Sequence, residues 1–133
     1  MAEYYSIGKG EIRQDALLKV TGQAEYTTDI HPRGMVYGKI LGSPIAHGII
    51  KSIDTSEAEK LPGVVCVVTG EDGPDHPTIG GYLTDRYIMN RVGQKVRYVG
   101  DFVAAVAATD EQIAEAACKL IKVEYEPLPY VLD

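Results

Sequence analysis

The segment from Gly38 to Asp72 constrains the fold more than any other part of this chain. It contains two apolar, β-branched runs that are typical of strands, with a short polar stretch between them. That stretch begins with Asp54-Thr-Ser-Glu57, in which an acidic or hydroxyl cap is followed three residues later by Glu, as at many helix N-termini. Pro62-Gly63 ends the helix soon afterwards. The segment and the residues just before it therefore predict strands at Met35–Leu41 and Ile45–Asp54, a short helix and a buried strand (Val64–Thr69). The segment pairs no nucleophile with a base.

The second half of the chain repeats this order with a longer helix. Lys95–Val99 and Phe102–Ala108 predict two strands, and Thr109-Asp-Glu-Gln112 has the spacing of a capping box that opens a helix to about Ile121. One face of this helix carries an apolar stripe: Ile113, Ala116, Ala117, Leu120 and Ile121. Lys122–Glu126 alternates like a half-buried strand. The order of elements predicts an α+β fold, with a mixed β-sheet and two helices packed on it.

Two regions lack this regularity. Residues 1–34 are rich in glycine, threonine and charge, and they predict an extended N-terminal arm with one short strand. Residues 70–95 are interrupted repeatedly by glycine and proline and predict a long loop, in which Arg86–Asn90 alone looks like a strand. A loop of this length in a compact domain usually carries function or covers a partner. We therefore predict one domain, residues 1–133, with an arm and a long loop.

Composition excludes several classes of function. The net charge of −6 and the scattered basic residues argue against a nucleic-acid partner, which requires clustered Lys and Arg. The N-terminal residues do not resemble a signal peptide, and no apolar run approaches the roughly 20 residues that span a bilayer, so we expect a cytoplasmic protein without a membrane partner. Cys66 and Cys118 lie in apolar patterns and are predicted to be buried free thiols. Two cysteines cannot by themselves hold an iron–sulfur cluster or a structural zinc.

The histidines and lysines that could take part in a reaction or bind a metal are better explained as structural residues. His47 closes a Ser-Pro-Ile-Ala-His corner and is predicted to hydrogen-bond there. His31 and His76 flank prolines and form no i, i+4 pair, so no metal site is predicted. Lys51 and Lys95 do not occupy the hairpin tip that a biotinyl or lipoyl carrier needs. The sequence predicts no catalytic, cofactor-binding or metal-binding residue in this chain.

Four segments together resemble a known family. They are Arg13–Tyr26, Gly38–His47, the pair Leu61–Val64 and Thr69–Asp72, and Val96–Ala108 continuing into Val123–Pro129. Their order and spacing are similar to those of the N-terminal α/β-hammerhead domain of the molybdenum hydroxylases, the xanthine dehydrogenase and aldehyde oxidase family. The bacterial type, in which the molybdenum subunit is a separate polypeptide, is most similar. Phe102 departs from the family pattern, since relatives often have Pro there.

The resemblance implies membership of a larger oxidoreductase. Similar enzymes hydroxylate a heteroaromatic or aldehyde carbon at a molybdenum–molybdopterin centre, and electrons leave through [2Fe–2S] clusters, commonly to FAD. In that family the molybdopterin ligands lie in later domains, so this chain is expected to bind no cofactor and to be inactive alone. The implied role is a non-catalytic scaffold and substrate-funnel wall, the latter at Gly81, Tyr82 and Leu83. The implied partners are the molybdopterin-binding domains and an iron–sulfur subunit or domain.

Two alternatives remain open from the sequence. The first is a stand-alone module that binds a small molecule or self-associates as a homodimer. The second is a small hydrolase that would use two of the loop carboxylates of Asp72, Asp75 and Asp85. The substrate of the parent enzyme and its subfamily are not encoded in these residues.

Overall fold

The computed structural model describes residues 7–73 and 87–132, which belong to two compact units divided after Gly34. In the smaller unit, Ala16–Val20 form helix α1 and Thr27–Asp29 form a 3₁₀ turn. The short strand predicted for residues 1–34 is absent from the described residues, and α1 is found instead. Alanine, leucine and lysine favour the helix, and Gly22 ends it with a φ of 72°.

The described residues of the larger unit form two three-stranded antiparallel sheets. The strands are β1 (Tyr37–Gly42), β2 (Gly48–Asp54), β3 (Val64–Thr69), β4 (Lys95–Val96), β5 (Phe102–Ala108) and β6 (Lys122–Pro127). The first sheet has the order β1-β5-β3 and the second the order β4-β2-β6. The α+β class is confirmed, but the described strands form two sheets where the sequence predicted one mixed sheet. The reason lies in the two helical connections, because each one leads from a strand of one sheet to a strand of the other.

Helix α2 (Ser56–Glu59) connects β2 to β3, and helix α3 (Glu111–Leu120) connects β5 to β6. Both start close to the predicted positions, with different caps. The Asp110 carboxylate, not the Thr109 hydroxyl, accepts the Gln112 N–H at 2.8 Å. At α2 the Asp54 carboxylate accepts the Ser56 N–H at 3.0 Å, while Glu57 pairs with Lys60 and does not complete a capping box.

The main core lies where α2 and α3 cover the first sheet. Its buried members are small or branched: Ala58, Ala104, Val106, Ala108, Ala114, Ala117, Cys118 and Ile121. A second cluster consists of Ile50, Val96 and Val103, and both clusters contact Ile53 and Val123. The predicted stripe on α3 is partly wrong, since Ala116 and Leu120 are exposed while Ala114 and Cys118 are buried. The helix keeps the predicted period but is rotated by about one position, which places alanines against the sheet.

Strand β3 is not buried on both faces as predicted. Val65 is 58% exposed and Val68 38%, and Cys66 is exposed, whereas Cys118 is buried as predicted. The cause is strand order, because among the described strands β3 is the outer strand of its sheet and β5 the central one. The strand predicted at Arg86–Asn90 is reduced to a single bridge residue, Tyr87, within its described part.

Candidate functional site

The predicted funnel residues Gly81, Tyr82 and Leu83 lie outside the described residues, as do His76, Asp75 and Asp85. The structure does describe both ends of the segment that contains them. One end is the 3₁₀ turn Gly70–Asp72, directly after β3, and the other is the stretch 87–94 before β4. The contacts between these two ends are the described contacts that lie nearest in sequence to the predicted funnel wall.

Arg91 holds these two ends together. Its Nε donates to the Gly70 carbonyl at 2.8 Å, and its Nη2 donates to the Gly73 carbonyl at 3.0 Å. A guanidinium presents its donors in a rigid plane, so two bonds to neighbouring carbonyls define both position and angle. Gly70 suits this close approach, because a Cβ there would lie 2.8 Å from the Asn90 carbonyl oxygen. We call this arrangement of Arg91 with Gly70 and Gly73 the Arg91 clamp.

Two further contacts stabilise the clamp. The Glu71 carboxylate accepts the Val92 N–H at 3.3 Å, and the Asp72 carboxylate accepts the Thr69 N–H at 2.7 Å. The bonds from the Thr69 backbone and hydroxyl to Asp72 lower the pKa of that carboxyl group. Asp72 therefore acts as a cap for the 3₁₀ turn in the described structure, which does not support its use in paired-carboxylate hydrolysis.

His47 makes a structural hydrogen bond, as predicted, although its partner lies beyond β6. The Nδ1 atom is 2.9 Å from the Pro129 carbonyl oxygen, and because a carbonyl only accepts, Nδ1 carries the proton. The backbone adds a second link, since Leu128 N–H donates to the His47 carbonyl at 3.0 Å. His47 thus holds the segment after β6 against the beginning of β2.

A concave surface of about 710 Å³ adjoins His47. Three sequence segments line it, contributing Ala46 and His47, then Lys95, Arg97, Tyr98 and Val99, then Pro129, Tyr130, Val131 and Leu132. We call it the basic pocket, because its described lining includes His47, Lys95 and Arg97 and no acidic residue. Sequence analysis missed it, since no local motif connects residues 47, 95 and 130.

Residues 7–73 and 87–132 contain no group of three or more His, Cys, Asp or Glu side chains close enough to hold a metal ion. Burial raises the pKa of the Cys118 thiol, which disfavours the thiolate that a metal needs.

Lys51, which the sequence analysis considered as the lysine of a biotinyl or lipoyl carrier, forms an ion pair with Glu126. No helix in the described residues is long and apolar enough to cross a bilayer.

Comparison with known proteins identifies the family. Residues 21–129 match the model of the aldehyde oxidase and xanthine dehydrogenase a/b hammerhead domain. The chain is 47% identical over 117 residues to a probable xanthine dehydrogenase subunit of Bacillus subtilis, covering 88% of this chain and 15% of that protein. It is 44% identical to the xanthine dehydrogenase molybdenum-binding subunit of Escherichia coli O157:H7, covering 90% of this chain and 17% of that protein.

Solved structures agree with this match. A crystal structure of the Cu,Mo-CO dehydrogenase superposes with a TM-score of 0.85 at 36% identity, over 95% of this chain and 16% of that one. The aldehyde oxidoreductase of Desulfovibrio gigas gives a TM-score of 0.80 at 36% identity, over 88% of this chain and 14% of that one. The chain spans only a small part of the length of these relatives. From residues 21 to 129, it belongs to the aldehyde oxidase and xanthine dehydrogenase family as an α/β-hammerhead domain.

Proposed function

We propose that this chain is the non-catalytic hammerhead portion of a molybdenum hydroxylase that oxidises a heteroaromatic or aldehyde substrate. The observation that carries the proposal is the hammerhead match over residues 21–129, together with 44% identity to a molybdenum-binding subunit. In this proposal the molybdenum–molybdopterin is held by other domains of the enzyme, as the resemblance implies, and this chain contributes no ligand to it. The iron–sulfur and FAD groups would likewise belong to partner domains or subunits, and the assembly would be bacterial and cytoplasmic.

Within that enzyme, the role proposed for residues Gly81, Tyr82 and Leu83 is to form part of the substrate-funnel wall. The Arg91 clamp supports this role, because it brings the two ends of the segment together with bonds of 2.8 and 3.0 Å to Gly70 and Gly73. A wall selects substrates by shape, so its residues alter the binding of the substrate more than the chemical step.

A chimera tests the proposal. The hammerhead segment of the Bacillus subtilis protein is replaced by this chain, and the enzyme is purified with its partner subunits. We expect the chimera to retain stoichiometric molybdenum and to oxidise a purine or an aldehyde, while the 133-residue chain alone binds no molybdenum. Molybdenum bound stoichiometrically by the isolated chain, or a chimera without molybdenum, would contradict the scaffold role.

The funnel role is tested in the same chimera with two tyrosine variants. Tyr82→Ala should change KM, or the ratio of kcat/KM between a large and a small substrate, by about threefold or more with kcat nearly unchanged. The matched control is Tyr26→Ala, which removes a side chain of the other unit that is 54% exposed. Equal effects of the two variants on KM would refute the assignment of Tyr82 to the funnel wall.

A further inference from the structure

The first sheet has one face toward the helices and one face away from them. On β5, Ala104 and Val106 belong to the main core beneath α2 and α3, so the alternate residues Ala105 and Ala107 point to the other side. Residues directly opposite each other on neighbouring strands share a face of the sheet. The face away from the helices therefore contains two cross-strand rows, Ile40–Ala105–Val68 and Gly38–Ala107–Cys66. We call these six residues the apolar sheet face.

The apolar sheet face is exposed on both outer strands. Ile40 of β1 is 54% exposed, Val68 of β3 is 38% exposed, and Cys66 of β3 is exposed as well. A Cβ added at Gly38 would meet no atom within 4 Å, so the space beside it is open. An antiparallel sheet with one solvated face normally alternates apolar residues inside with polar residues outside. None of the six residues carries a charged, hydroxyl or amide side chain, and an exposed surface of this kind is typical of a contact with another protein surface.

The same side of β5 is already covered near the beginning of the strand. Val103 lies two residues before Ala105 and points to the same side. It is fully buried against Ile50 and Val96 of the second sheet. Ala105 and Ala107, further along the strand, are only half-buried. The cover that the second sheet provides thus decreases along β5, and an additional apolar surface would continue it.

The relatives indicate where such a surface comes from. The match covers 17% of the molybdenum-binding subunit of Escherichia coli O157:H7 and 15% of the Bacillus subtilis protein, so most of each relative lies outside it. Parts of one polypeptide have a high effective concentration for each other, and a contact between them forms without a strong affinity of its own. A second copy of this chain is a poorer partner, because two molecules with a net charge of −6 repel each other.

We propose that the apolar sheet face packs against an uncharged apolar surface of the molybdopterin-binding portion of the enzyme. This inference rests on the scaffold function proposed above and names the face that performs it. Ile40 and Val68 contribute the branched side chains of the contact, and Gly38 lets the opposing surface approach the backbone closely. Interfaces between permanently associated parts are more hydrophobic than other protein surfaces, as the composition of this face requires.

The first test uses Cys66, whose thiol lies on the apolar sheet face. The isolated chain at low concentration and the chimera described above are labelled with N-ethylmaleimide, and mass spectrometry follows the peptide that contains Cys66. The thiol should react at least about tenfold more slowly in the chimera, because the contact covers it. Equal rates would overturn the proposal. Protection of Cys66 in the isolated chain that increases with protein concentration would assign the face to a second copy and would overturn it too.

The second test introduces a charge on the face. Val68→Lys should reduce the yield of the molybdenum-containing chimera about fivefold or more, because the contact would bury an ammonium group without a partner. Leu120→Lys is the matched control, since Leu120 on α3 is also 38% exposed and lies outside the apolar sheet face. Equal yields of the two variants would refute the assignment. Urea unfolding of both isolated variants measures their own stability, and the labelling of Cys66 in the unaltered chimera decides the proposal even if Val68→Lys does not fold.

The scaffold function and the present inference fail in different ways. A chimera without molybdenum contradicts the scaffold function and, with it, this inference. A chimera that contains molybdenum but leaves Cys66 as reactive as in the isolated chain contradicts only the assignment of the apolar sheet face.

Discussion

Strands β3 and β5 are both apolar and uncharged but have opposite environments. The sequence of β3 is Val-Val-Cys-Val-Val-Thr, rich in valine, and that of β5 is Phe-Val-Ala-Ala-Val-Ala-Ala, rich in alanine. In β5 the residues Val103, Ala104, Val106 and Ala108 are at most 1% exposed, whereas Val65 of β3 is 58% exposed. Position in the sheet accounts for the difference, since β5 pairs on both sides and β3 has β5 as its described partner.

The comparison shows that an apolar run predicts a strand but not its burial. Natural proteins usually protect an exposed edge with charges, prolines or bulges, and β3 carries no charge along its length. Its antiparallel pairing with β5 is irregular between Val64 and Cys66, where one extra residue enters β3. Because the two strands differ in burial, we expect the same substitution to change the stability of the protein by different amounts in β3 and in β5.

The largest effect is expected for valine truncation in β5. Val106→Ala should lower the free energy of unfolding by about 2 to 3 kcal/mol, because it removes buried methyl groups and leaves a cavity beside α3. The control is Val65→Ala in β3, which should cost less than about 1 kcal/mol, mainly through strand propensity. Urea unfolding monitored by circular dichroism measures both. Similar losses would show that β3 is as buried as β5.

The second prediction concerns the point where β3 is attached to the end of β5. Gly63 has a φ of 95°, its carbonyl accepts the Thr109 N–H at 2.9 Å, and a Cβ there would lie 2.7 Å from Ile113 Cδ1. Gly63→Ala should therefore cost about 2 kcal/mol. Gly93→Ala, with a φ of 83° and open space around it, should cost about 1 kcal/mol. A smaller loss at Gly63 than at Gly93 in thermal unfolding would contradict the predicted contact.

The third prediction compares the two thiols. Cys66 is exposed on β3, while Cys118 is 9% exposed and burial raises its pKa, so less thiolate forms at a given pH. At mildly alkaline pH, Cys118 should react with a thiol reagent at least about tenfold more slowly than Cys66. Stopped-flow absorbance gives both rates, and Cys66→Ser should remove the fast phase. A fast phase that persists in this variant would be inconsistent with the burial of Cys118.

The smallest effect is expected at the start of α3, the helix that packs on β1 and β5. Asp110→Ala removes the side chain that accepts the Gln112 N–H, and it should cost about 1 kcal/mol. Thr109→Ala should change stability by less than about 0.5 kcal/mol, because no described hydrogen bond of its hydroxyl caps the helix. Chemical denaturation of both variants compares the caps, and a larger loss for Thr109 would restore the cap predicted from sequence.

Much of this molecule follows from local sequence. The capping residues and Pro62-Gly63 place α2 between two strands, and the periodicity of residues 111–120 predicts α3 to within a residue or two. Four short segments between Arg13 and Pro129 were sufficient to identify the family, and the hammerhead match over residues 21–129 confirms it. These features depend on backbone propensities and side-chain contacts that act over a few residues.

The tertiary structure alone decided which apolar strand is buried, how the strands divide into two sheets, and which distant residues meet. The Arg91 clamp joins positions 18 and 21 residues apart, and His47 contacts Pro129 across 82 residues. Burial and such contacts depend on strand order and on the path of each connection. The same apolar run can form a central or an outer strand. The sequence by itself therefore determined the helices and strands, whereas their packing determined the core, the Arg91 clamp and the basic pocket.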